Sequence, residues 1–169
     1  MSASILSGVV TTPYVAFETS LSGTTVDLVS ANDIATYPFN LPYTMQISEI
    51  GMFIGLGDAS NKSDIGLYDT NGNLLADIGA QYISAANADS FSLSNGPIVI
   101  GPGTYIFAIT SAGTTLRWAA SNPTYSLAMF TTTNTSSGGA LPSSITYASG
   151  FDEGNNSPYA GFMPVMILM

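Results

Sequence analysis

The chain contains no histidine and no cysteine. Disulfides, thiolate nucleophiles, most zinc and iron sites, and every Ser-His or Cys-His catalytic pair are therefore excluded. With no cysteine the redox compartment is not legible. Basic residues number 2 against 11 acidic ones, a net charge of −9. Only Lys62 and Arg117 can meet a phosphate, too few for a nucleic-acid interface. An anionic membrane surface is disfavoured for the same reason. No apolar run approaches the ~20 residues of a membrane-spanning helix. Met1 to Val10 lacks the basic start of a secretory signal, so none is expected. The Asn-x-Ser/Thr triplets at Asn61, Asn134 and Asn155 are read as chance.

Charged residues make up 8% of the chain and hydrophobic ones 46%. That is far from the composition of a disordered chain. The polar surface is built from hydroxyls and amides instead, with 22 Ser and 18 Thr among 169 residues. The length fits one domain with a substantial core. The expected division is a flexible N-terminal arm over residues 1–8 and a single domain over 9–169.

No segment carries a long 3.6-residue apolar period. The 17 Gly and 9 Pro are spread along the chain and break it into short runs rich in Val, Ile, Thr, Tyr and Phe. Thr104 to Thr110 is the clearest strand, with Tyr105, Phe107 and Ile109 on one face. Gly101-Pro102-Gly103 forms the turn before it. Ser63 to Gly79 is the clearest hairpin, because Asn71-Gly72 between apolar runs favours a type I′ turn. Further strands are expected at Val9–Phe17, Thr25–Val29, Ile47–Leu56, Phe91–Leu93, Pro97–Ile100, Thr115–Ala119, Tyr125–Phe130, Ser144–Ala148 and Phe162–Leu168. Ala80–Asp89 is the single helix candidate. Thr131–Ala140 and Gly150–Gly161 read as loops, the first without an apolar anchor. About ten short strands and at most one short helix argue for an all-β antiparallel β-sandwich, with a barrel as the alternative. The apolar terminus Phe162–Met169 reads as an inner strand, the alternative being burial against another subunit.

The acid/base groups left are carboxylates, and two of them suffice for glycoside hydrolysis. The pairs Asp58 with Asp64, Asp69 with Asp77, and Asp152 with Glu153 all sit beside turn formers. An enzyme is therefore not expected, and no catalytic residue is assigned. Asp69-Thr-Asn71-Gly-Asn73 superficially resembles a calcium loop. Its glycine is fourth rather than sixth, and its twelfth residue is Ala80 rather than Glu. A calcium site built from Asp58, Asp64 or Asp69 is the remaining metal option, and no cofactor or metal is expected. A sugar or receptor site needs an exposed aromatic ring beside polar groups. The candidates are Trp118, Arg117, Tyr159 and Asp152, although adjacent Arg117 and Trp118 face opposite sides of a strand and Trp118 reads mainly as core. The seven Met, four of them after residue 128, suit adaptable contacts with copies of the chain or a scaffold.

Three segments carry a resemblance: Ile47-Ser-Glu-Ile-Gly-Met-Phe-Ile-Gly55, Asp64-Ile-Gly-Leu-Tyr-Asp-Thr-Asn-Gly-Asn-Leu-Leu-Ala-Asp77 and Ile98-Val-Ile-Gly-Pro-Gly-Thr-Tyr-Ile-Phe-Ala108. Their order resembles the jelly-roll modules of tailed-bacteriophage virion surface proteins, over roughly residues 45–169. The resemblance implies a jelly-roll-like sandwich on the exterior of a phage particle, usually a homotrimer, with no transferable catalytic motif. It implies either a capsid decoration (cement) protein bound to the major capsid protein, or a host-glycan-binding module of a tail or head fibre. The chain starts at Met1 with no fibrous shaft, which favours decoration. No nucleic-acid partner and no membrane insertion are expected.

Overall fold

The structure, a computed structural model, describes residues 14–15, 24–27, 30–121, 134–147, 163–164 and 166–169. Among them there are fourteen strands and no helix. The strands are β1 (Tyr14–Val15), β2 (Thr24–Asp27), β3 (Ile34–Leu41), β4 (Met45–Ile47), β5 (Glu49–Leu56), β6 (Asp58–Tyr68) and β7 (Leu74–Asp77). They continue as β8 (Gln81–Ile83), β9 (Ala88–Ser92), β10 (Ile98–Ile100), β11 (Gly103–Ser111), β12 (Arg117–Ser121), β13 (Met163–Pro164) and β14 (Met166–Leu168).

The strands form two layers and a ribbon. One layer runs β1-β14-β5-β12-β13, with β2 beside β12 and β9 beside β5. The other runs β3-β11-β6-β7, with β8 also paired to β6. The ribbon joins β10 to β4. Every pairing is antiparallel. One apolar cluster joins the layers. Tyr37, Phe39, Ile65, Leu67, Phe107 and Ile109 come from the second layer and Ile50, Met52, Ile54, Trp118 and Leu168 from the first. The protein is an all-β antiparallel sandwich.

The period-2 pattern explains most strands, and the exceptions have physical causes. The helix expected over Ala80–Asp89 is absent: Gln81 and Ile83 pair with β6 and Asp89 pairs with Met52. Ten residues lie below the length at which a helix sustains itself, so the waiting sheet edges prevail. Strand β3 has no counterpart among the expected strands because Pro38 interrupts its pattern. It ends its sheet in the strand order, where the missing N–H leaves no ladder bond unmade. The expected strand Ser144–Ala148 reduces to single bridge residues, Tyr147 and Ser144, the latter opposite Asn73, with Ala148 outside the described residues. The apolar terminus is only partly an inner strand: β14 lies between β1 and β5 with Leu168 fully buried, whereas β13 (Met163–Pro164) pairs with β12 at the end of the strand order. The expected arm 1–8, most of Val9–Phe17, the strand Tyr125–Phe130 and the loop Gly150–Gly161 also lie outside the described residues.

Candidate functional site

On β11 the core-facing residues are Phe107 and Ile109, yet Ile106 and Ala108 on the opposite face are equally buried. The cover is residues 134–147, which run as a strap across the outer face of the second layer. Leu141 and Ile145 of the strap join Ile34, Tyr68, Ile106 and Ala108 in a second apolar cluster, with Leu74 and Tyr147 packed against it. The loop expected to lack an apolar anchor is thus part of an anchored cover. The loop window stops at Ala140, one residue short of Leu141.

Hydrogen bonds hold the strap along its length. Ser136 N–H donates to the Asn32 carbonyl (2.8 Å), and the Thr110 hydroxyl donates to Ser136 Oγ (2.6 Å). Farther along, Leu74 N–H donates to the Ser143 carbonyl and Ile145 N–H to the Gly72 carbonyl. The hydroxyls of Tyr68 and Tyr147 donate to the Pro142 and Asp69 carbonyls (2.6 and 2.9 Å). The strap turns at Gly138 and Gly139, both at positive φ (59° and 75°). A Cβ on Gly139 would lie 2.1 Å from the Lys62 carbonyl oxygen, so only glycine fits there.

Beneath the strap lies Asp64, 2% exposed and paired across the sheet with Thr110. Its Oδ2 accepts the Leu141 N–H (3.0 Å) and its Oδ1 the Ile65 N–H (2.9 Å). Burial pushes its pKa up to about 6, and the Asp77 carboxylate adds to the rise against the hydrogen bonds that oppose it. Burial likewise raises the phenols of Tyr68 and Tyr147, with Asp64 the next contributor at Tyr68 and Asp69 at Tyr147.

The other two calcium candidates serve their own turns. Asp69 Oδ1 accepts the N–H groups of Asn71 and Asn73, and its Oδ2 accepts the Asn73 amide. The Asn73 side-chain bond is the largest cause of its lowered pKa. The hairpin forms where expected, but its turn differs. Gly72 N–H donates to the Asp69 carbonyl, Asp69 N–H donates to the Asn73 carbonyl, and Gly72 alone has positive φ (86°). That is a type I turn with a glycine bulge rather than type I′, because the Asp69 carboxylate binds the turn's N–H groups. At Asp58, burial pushes the pKa up, but bonds from Asn61, Ser60 and Thr115 outweigh it and the net shift is downward. Among the described residues, no three carboxylates gather as metal ligands.

The binding candidates do not converge. Trp118 is wholly buried, opposite Ile54 and Val26. Arg117 is exposed on the other face of the same strand. Tyr159 and Asp152 lie outside the described residues. Among the described residues the exposed large aromatic is instead Tyr82 on β8, 57% exposed, with Lys62 Nζ 5.9 Å from its ring centroid. Its one sequence signal is local: Ile83 must face the core, so its neighbour Tyr82 faces out. Leu56 and Val99 are the other exposed large apolar side chains among the described residues.

The fold and this face define a class, an antiparallel β-sandwich with one sheet closed on both sides. No protein-family model and no curated protein matches the chain.

Proposed function

We propose that this chain is a non-enzymatic structural protein of a tailed-bacteriophage virion, a capsid decoration protein that stabilises the head from outside. What carries the reading is the placement of the three segments resembling virion modules. They supply most of β5, the turn-side half of β6 with β7, and β10 with the first part of β11, and so contribute to both layers and to the shared core. Binding the assembled shell but not its separated subunits shifts the shell towards the intact state by mass action. A homotrimer touching several subunits of the major capsid protein would multiply weak contacts. The test is the stoichiometry of purified particles. Many copies per particle, and heads that release their contents at lower temperature when the protein is missing, are expected; a handful of copies with unchanged heat resistance overturns it.

One observation favours a second reading, a host-glycan-binding module of a tail or head fibre. Tyr82 offers an exposed ring, and Lys62 places a cation beside it. On this reading free protein blocks adsorption of the phage and Tyr82→Ala abolishes the block. Free protein that leaves adsorption untouched removes it.

A further inference from the structure

We propose that Asp64 is a proton-operated latch on the strap: protonated, it favours closure of residues 134–147 over the outer sheet face, and ionised, it makes local opening around Leu141 easier. The proposal concerns the fold and stands whether or not the virion reading does.

The geometry sets the latch at one point of the strap. At one end the strap is tied by Asn32, Thr110 and Ser136, none of which titrates. At the other it is tied by backbone bonds to Leu74 and Gly72 and by the phenol of Tyr147, whose proton stays on far above neutral pH. Between them, the Leu141 N–H rests on a carboxylate that the strap itself seals from water. Among the described residues, the titratable or charged groups on the surrounding elements are Asp77 on β7, Asp58, Lys62 and Tyr68 on β6, Tyr147 on the strap, Asp69 in the hairpin and Asp33 before β3. From β11 come only Thr110, Ile106 and Ala108. The strongest charge acting on Asp64 is that of Asp77, which is of the same sign and is positioned by the Ser94 hydroxyl.

The sign follows from linkage. With the strap closed Asp64 holds its proton up to about pH 6, and once water reaches it the pKa falls back to the ordinary carboxylate range. The closed state therefore binds more protons than the open state between about pH 4 and 6. Its advantage is complete below that window and is lost as pH rises through it. At neutral pH the closed strap covers a buried anion, and opening becomes easier.

Amide hydrogen exchange read by NMR tests this, after correction for the intrinsic pH dependence of exchange. Between pH 4.5 and 7 the protection of Leu141 is expected to fall roughly tenfold or more. Phe107, in the core, is expected to change much less. Asp64→Asn keeps one amide acceptor and removes the titration, so its Leu141 protection is expected to be independent of pH. Asp77→Asn keeps the latch and moves its midpoint to lower pH. Should Asp64→Asn fail to fold, the wild-type profile and the Asp77→Asn shift decide. Wild-type protection that is flat across this range overturns the latch. So does the same fall in Asp64→Asn, or an Asp77→Asn midpoint that does not move.

Discussion

Gly72 shows how much depends on a single missing side chain. Its φ of 86° is costly for any residue with a Cβ, and a Cβ there would lie 1.9 Å from the Ile145 carbonyl oxygen. Gly72→Ala is expected to destabilise the fold by about 2–3 kcal/mol through backbone strain and displacement of the strap. Urea denaturation with an unchanged m value would report it as a lower midpoint. Asp58 and Asp69 act through charge. Hydrogen bonds in the folded state hold both pKa values below the ordinary carboxylate value. Their contribution is present above that value and lost as pH falls through the lowered folded ones. Wild-type stability is expected to drop below about pH 4. Asp58→Asn/Asp69→Asn should be less stable at neutral pH, and thermal melts at pH 7 and 3 should show a smaller loss on acidification than wild type.

The strap is the element whose value the sequence least announces. It has no regular secondary structure, yet Leu141 and Ile145 seal the outer face of β6 and β11. Leu141→Ala removes a buried side chain that touches this face and leaves a cavity over Ile106 and Tyr68. A loss of about 2–4 kcal/mol is expected. At this chain length that is a drop of roughly 5–15 °C in Tm by calorimetry. The β6–β7 hairpin and β11 were legible beforehand, because alternation and Asn-Gly or Pro-Gly turns are properties of a few consecutive residues. The turn type at Asp69 was not, since it depends on where the carboxylate finds N–H groups. Strand β3 was obscured because Pro38 is tolerated only at a sheet's end, a fact about its neighbours. The binding candidates met the same limit: Trp118 and Arg117 are adjacent in sequence and opposite in space, while Tyr82 and Lys62 meet across two strands.

Across the whole molecule the dominant fact is the scarcity of charge, with 2 basic residues and 8% charged overall. A partner surface must be met mainly through hydroxyl, amide and apolar contacts, which salt screens little. On the proposed decoration reading, binding of this chain to the shell is therefore expected to weaken less than tenfold between 50 and 500 mM NaCl, measured by co-sedimentation with particles stripped of it. A steep salt dependence would instead place the contact on charged side chains, of which 11 are acidic and 2 basic.

Residue order by itself determined the all-β class, the antiparallel sandwich and the exclusion of thiol and imidazole chemistry and of a nucleic-acid interface. Each follows from which residue types are present and how they alternate over a few positions. Only the tertiary structure decided that the second sheet is covered on both faces, that Asp64 lies under residues 134–147, and that Trp118 is core while Tyr82 is surface. The physical reason is that burial belongs to pairs of segments: a side chain's solvent is set by whatever stretch of chain, often seventy or more residues away, packs over it.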